Sequence, residues 1–101
     1  MKIRTEKIGT TLVVKLDGEI DHSCAGEIRE RIDRELSLHS IQNLVWDFGN
    51  VEFMDSSGIG MLVGRYQRVK ERGGKTMIIR PKPQVNKVLE ISGIKKIISC
   101  E

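Results

Sequence analysis

The run Leu44-Val45-Trp46-Asp47-Phe48 is apolar at every position but one. A strand with one wet face alternates apolar and polar residues. A nearly unbroken apolar run suits a strand buried on both faces, as in parallel sheets. Parallel neighbours cannot be joined by a tight hairpin. The chain on either side of this run must therefore supply crossover connections, which are usually helical.

The flanking sequence meets that demand. After Asp21-His22-Ser23-Cys24, the apolar residues Ala25, Ile28, Ile32 and Leu36 recur at helical spacing, while Arg29, Glu30, Asp33 and Arg34 face away. This predicts an amphipathic helix, with Asp21 or Ser23 as its N-cap. A second helix is expected over about Ser57–Arg72, with Ile59, Leu62, Val63, Tyr66 and Val69 on one face and Gly73-Gly74 as its stop. A third begins at Pro83, carries Val85, Val88 and Leu89, and ends at Gly93. Further strands are expected around Lys2–Glu6, over Thr10–Gly18, at Thr76–Ile79 and at Ile97-Ile98, with a Gly9-Thr10 turn between the first two. The order β-β-α-β-α-β-α-β predicts an α/β domain. Its mixed sheet has four to five strands, with helices from βαβ crossovers and antiparallel pairing at the N-terminal end.

A chain of 101 residues makes one such domain. Its net charge of +3 is too slight for a nucleic-acid footprint. No apolar run approaches the ~20 residues of a membrane span, and Met1–Gly9 has no apolar core of a secretion signal. Cys24 and Cys100 stand in no metal-binding or redox spacing, so a cytoplasmic chain with reduced thiols and no cofactor or metal is expected.

The chemistry-bearing stretch is Phe53-Met54-Asp55-Ser56-Ser57-Gly58-Ile59-Gly60. It connects the carboxyl end of the Trp46 strand to the second helix. Ligand sites of open α/β sheets gather at such ends. The turn Gly18-Glu19-Ile20-Asp21 leaves the preceding strand at the same rim, which brings Asp21 towards Ser56. Helix capping accounts for one of Asp55, Ser56 and Ser57 and leaves two. A nucleophilic serine lacks the G-x-S-x-G elbow, with only His22 and His39 available as bases. A phosphate cradle has Gly58 and Gly60 but no GxxxxGK[ST]. Gly60 and Gly64, four apart, also suit close packing of this helix on the sheet or a partner. In the fourth reading a serine is phosphorylated, since a hydroxyl at a helix start is exposed and the dipole there tolerates negative charge.

The stretch Phe53–Gly60, followed by Leu62-Val63-Gly64-Arg65-Tyr66, resembles the signature of the STAS domain, and closely that of the sporulation-type anti-sigma factor antagonists. Leu16-Asp17-Gly18-Glu19-Ile20-Asp21 and Ile91-Ser92-Gly93-Ile94-Lys95-Lys96-Ile97-Ile98 are similar to two further segments of that family, in the same order. The resemblance implies a domain over 1–101 that binds an anti-sigma factor serine kinase and releases the sigma factor. It implies phosphorylation of Ser56 by that kinase, reversal by a serine phosphatase, and no catalytic residue of its own. Asp21, Asp55, Ser57 and Gly58 are then the partner-binding residues, and Asp55 and Ser57, which flank the target, also shape the loop. A STAS scaffold of the stressosome type, or a nucleotide-binding module, is the alternative. Family members usually continue into another helix beyond the last strand. The sequence ends at Glu101, so the expectation is a domain without that helix, with apolar surface exposed in its place.

Arg65, Arg68 and Arg72 recur at helical spacing on the second helix, with Met61 one turn before. They read as a solvated basic face or as an anion-attracting rim that begins beside Ser56.

Overall fold

The structure, a computed structural model, describes residues 1–101. The chain runs β1 (Lys2–Ile8), β2 (Thr11–Ile20), α1 (His22–Leu38), β3 (Asn43–Met54), α2 (Ser56–Glu71), β4 (Thr76–Ile79), α3 (Pro83–Ser92), a 3-10 turn (Ile94–Lys96) and β5 (Ser99–Cys100). The five strands lie in sequence order, β1-β2-β3-β4-β5. Only β1 and β2 pair antiparallel, through a turn in which Gly9 takes a φ of 62°. The other pairs are parallel. The expected mixed α/β sheet is therefore present with five strands.

Because the strands follow one another and such crossovers are right-handed, the three helices fall on one face of the sheet. The core lies between the layers. Leu12, Val14, Leu16, Leu44, Trp46 and Ile78 from the strands meet Ile28, Ile32, Leu62, Val69, Val85 and Leu89 from the helices, all fully buried. The opposite face carries the row Glu6, Val13, Val45, Met77 and Ser99, in register across all five strands. One ion pair on that face is buried on its acidic side only: Arg80 Nη2 donates to Asp47 Oδ2 at 2.6 Å, and Asp47 is 5% exposed while the Arg80 side chain lies largely in solvent.

Several boundaries differ from expectation. β1 runs on to Ile8, and β2 continues through Gly18 and Glu19 to Ile20, so the stretch read as a turn is strand up to the Asp21 cap. β3 continues past Phe48 to Met54. Its second half pairs with β2 alone, because β4 covers only Leu44–Asp47. The last strand is Ser99–Cys100 and not Ile97-Ile98. Gly93 ends α3 in the left-handed region, at φ 81°. The following turn then holds Ile97 and Ile98 by donation of their N–H groups to the Ile94 carbonyl. Ile98 is a core residue, while Ile97 is half exposed. Finally, α2 begins at Ser56, one residue early, because Asp55 is its cap.

Candidate functional site

β2 and β3 end side by side, with Ile20 opposite Met54, and each turns into a helix through an aspartate. Asp21 and Asp55 are both N-caps with extended backbone. The two rims are tied together by the Asp55 N–H, which donates to the Ile20 carbonyl at 3.1 Å. Thus the predicted approach of Asp21 to the Asp55-Ser56 turn is realised by strand pairing.

The alternatives for the first cap resolve to Asp21. Its Oδ1 accepts from the Ser23 N–H at 2.9 Å and the Ser23 hydroxyl at 2.6 Å. The Asp21 N–H donates to Cys24 Sγ at 3.4 Å, which closes a capping box with sulfur in place of the usual carboxylate. The Ser23 hydroxyl above all holds the Asp21 carboxyl below its usual range, so it is ionised at neutral pH. Burial above all pushes the Cys24 thiol up. It stays protonated and donates to the Glu19 carbonyl at 3.1 Å, a structural role and not that of a reactive thiolate.

At the second cap Asp55 Oδ1 accepts from the Ser57 N–H at 2.8 Å. The cap is filled by the aspartate, and Ser56, the first helical residue, is exposed. Ser57 is half-buried beside it. Gly58 is buried, and a Cβ there would lie 2.5 Å from Met54 Cγ and 3.0 Å from Ile20 Cγ2. It lets the helix start press onto the strand ends and so sets where Ser56 stands. Gly60 and Gly64 do not serve close packing of the helix on the sheet, since a Cβ at either meets nothing within 4 Å.

The two histidines do not complete a catalytic set with the serines. His22 sits at the rim and is exposed. His39 caps the far end of α1 and pairs with Glu35, roughly 25 Å away along a 17-residue helix. No group of three or more His, Cys, Asp or Glu side chains is arranged to hold a metal ion.

The three arginines do not share one setting: Arg65 and Arg68 turn toward α1, while Arg72, the C-cap of α2, stays exposed at the end remote from Ser56. Arg65 is 8% exposed. Its Nε and Arg68 Nη1 each lie 2.9 Å from Asp33 Oδ1 on α1, and Arg72 Nη1 donates to the Ile41 carbonyl. Spacing alone showed a stripe of positive charge. Its counter-charge comes from the polar face of another helix, which a single-helix pattern cannot reveal. Two rim residues were not singled out in the sequence. Phe53 is 48% exposed and stands beside exposed Glu19 on the neighbouring strand. The signal was there: once Met54 is assigned to the core, strand alternation turns Phe53 outward.

A family model described as the STAS domain matches residues 2–101. An anti-sigma F factor antagonist of Paenibacillus polymyxa is 33% identical over 98 residues, which cover 97% of this chain and 84% of that relative. The solved structure of the anti-sigma factor antagonist SpoIIAA in its unphosphorylated form superposes with a TM-score of 0.88 at 31% identity, covering 99% of this chain and 88% of that one. The Bacillus cell fate determinant SpoIIAA in its phosphorylated form gives a TM-score of 0.77 at 30% identity, over 99% and 91% of the two chains.

Proposed function

The chain belongs to the STAS domain family, and from that premise we propose that it is an anti-sigma factor antagonist switched by phosphorylation of Ser56. In its unphosphorylated form it binds an anti-sigma factor that is also a serine kinase, and the sigma factor is released. The kinase transfers a phosphoryl group from ATP to Ser56 Oγ, which turns binding off. A phosphatase removes it. The chain acts as a binding regulator and supplies no catalytic group.

The observation that carries this reading is the division of labour at the α2 start. Asp55 does the capping, which leaves the Ser56 hydroxyl exposed and free of structural duty. An added phosphate at the first turn faces the positive end of the helix dipole and leaves the cap in place. Similarity to a protein known in both unphosphorylated and phosphorylated forms supports the same conclusion. A nucleotide site at the serines has less support. An open pocket of about 630 Å3 is lined by Thr11, Asn43, Lys75 and Ser99 at the opposite, amino ends of the strands.

The size of the switch follows from charge. Phosphate adds about −1.5 to −2 units at pH 7. Facing a partner carboxylate or the remaining phosphates of the kinase nucleotide at ~4 Å, each unit costs from ~1 kcal/mol in water-like surroundings to ~4 kcal/mol at an effective dielectric of about 20. With tenfold per ~1.4 kcal/mol, each unit of charge alone weakens binding by about fivefold to about a thousandfold before steric exclusion is added. No rearrangement of the fold is required.

The test is to mix the protein with the kinase encoded beside its gene and ATP, measure the intact mass and map the modified peptide. One phosphate on Ser56, with loss of kinase binding, is expected. Ser56→Ala should bind and take no phosphate, and Ser56→Asp should bind poorly. Equal binding by the two variants would refute the switch.

A further inference from the structure

Of the four aromatic residues in the chain, Trp46 and Phe48 are fully buried, Tyr66 is half-buried and packed against the core, and only Phe53 is exposed. It is 48% exposed, three residues before Ser56. It stands where β2 and β3 project beyond β4, in the stretch that carries two register irregularities, between Lys15 and Asp17 and between Gly18 and Glu19. Such irregularities re-aim side chains at strand ends. Ile20 and Met54 point into the core, and the paired residues just before them, Glu19 and Phe53, point out.

The charges around it are uncompensated. Several other acids are paired: Asp17 with Arg4, Asp33 with Arg65, Asp47 with Arg80, Glu52 with Lys82. Glu19, Asp21 and Asp55 pair with no cation, although the chain carries a net charge of +3. Glu19 stands beside the exposed ring on the neighbouring strand, and Asp21 and Asp55 cap the helices that leave these same two strand ends, the second of which presents Ser56.

We infer that Phe53 is the apolar anchor of the partner surface, and that the partner receives it in an apolar cavity rimmed by lysine or arginine. The inference rests on the binding role proposed above and specifies the chemistry of the other side. Aromatic anchors at the centre of an interface carry much of its affinity, and the surrounding charges set approach and orientation. The position also explains why one phosphate suffices. A dianion three residues away must be desolvated before the ring can be seated, so the anchor and the switch act on one footprint.

The experiment is calorimetric titration of the neighbouring kinase with wild type, Phe53→Ala, Phe53→Leu, Ser56→Asp and, as a control, Ile91→Ala, whose side chain is 81% exposed on α3. Thermal melts check that each variant folds. Phe53→Ala should weaken binding about 30-fold, which is about 2 kcal/mol. Phe53→Leu should recover part of this, and Ile91→Ala should bind as wild type. Wild-type affinity should fall as salt is raised from low to physiological strength, as free carboxylates facing cations require. Phe53→Ala binding within twofold of wild type, while Ser56→Asp fails to bind, would overturn the anchor and leave the switch standing. No binding by wild type would remove the functional reading and the anchor together. Dimerisation of the chain alone that Phe53→Ala abolishes would also overturn the anchor, by giving it a second copy as its occupant.

Discussion

The two helix starts at the rim are built on one plan and differ at two positions. Asp21-His22-Ser23-Cys24 opens α1 and Asp55-Ser56-Ser57-Gly58 opens α2. In each, an aspartate caps, and the serine two residues on gives it a backbone N–H at 2.9 or 2.8 Å. At α1 the third helical residue is Cys24, which locks the turn from within through the Asp21 N–H. At α2 it is Gly58, and the Asp55 N–H goes instead to Ile20 on the next strand. At α1 the first helical residue is His22, at α2 the hydroxyl of Ser56. The shared parts are what a helix start requires and so do not tell the two ends apart. The unshared parts are a buried glycine that seats the turn and a hydroxyl with no structural duty, and on the function proposed above they make α2 the working end.

The sharpest way to break this comparison is to loosen the two starts from each other. Asp33→Ala leaves the buried Arg65 guanidinium without its counter-charge. Unfolding in urea should show a loss of about 2 kcal/mol, below the usual cost of breaking a fully buried pair because Asp33 is partly exposed. Gly58→Val forces a side chain against Met54 and Ile20 and should cost about 2 kcal/mol, whereas Cys24→Val at the matching position of α1 should cost less. Equal losses at the two positions would make Gly58 an ordinary helix residue. Asp55→Ala should cost about 1 kcal/mol through the lost cap. Asp21→Ala should impair kinase binding more than folding, and wild-type affinity at normal stability would remove Asp21 from the surface.

The smallest effect concerns pH. The Ser23 hydroxyl lowers the Asp21 carboxyl, so Ser23→Ala should shift its NMR titration upward. Burial alone would raise Asp47, but the bonds from Arg80 and the Gly49 N–H, with the Arg80 and Lys15 charges, outweigh it and leave it low. Both carboxyls are lower folded than unfolded. Their stabilisation is present above the ordinary carboxylate range and is lost as pH falls through the lowered values. Arg80→Ala should therefore move acid unfolding to higher pH, read as the urea midpoint against pH. An unchanged acid limb would show that Asp47 does not depend on its partner.

Much of this arrangement was legible in the sequence, for local reasons. Leu12, Val14 and Leu16 alternate, Ile28, Ile32 and Leu36 recur by turns of helix, and Gly73 and Gly93 stop helices through left-handed backbone. Such signals lie within a few residues of what they predict. What was hidden depends on partners far along the chain. Gly49, Asn50 and Glu52 disguise the second half of β3 as a loop, and pairing with β2 makes it a strand. The repeat of Arg65 and Arg68 reads as a wet face until Asp33 arrives from α1. Ile97-Ile98 carries strand composition, but the backbone set by Gly93 spends it on a turn.

The strands also lie in the order in which they are made. Each new one docks on its predecessor, so no strand waits for a later segment to fill a gap between two others. Both aspartate caps, Ser56 and the buried glycine behind it are contained in the first 58 residues, on β2, β3 and the helices that leave them. The rim is therefore the product of consecutive segments, and β4, α3 and β5 stand on its far side as a buttress.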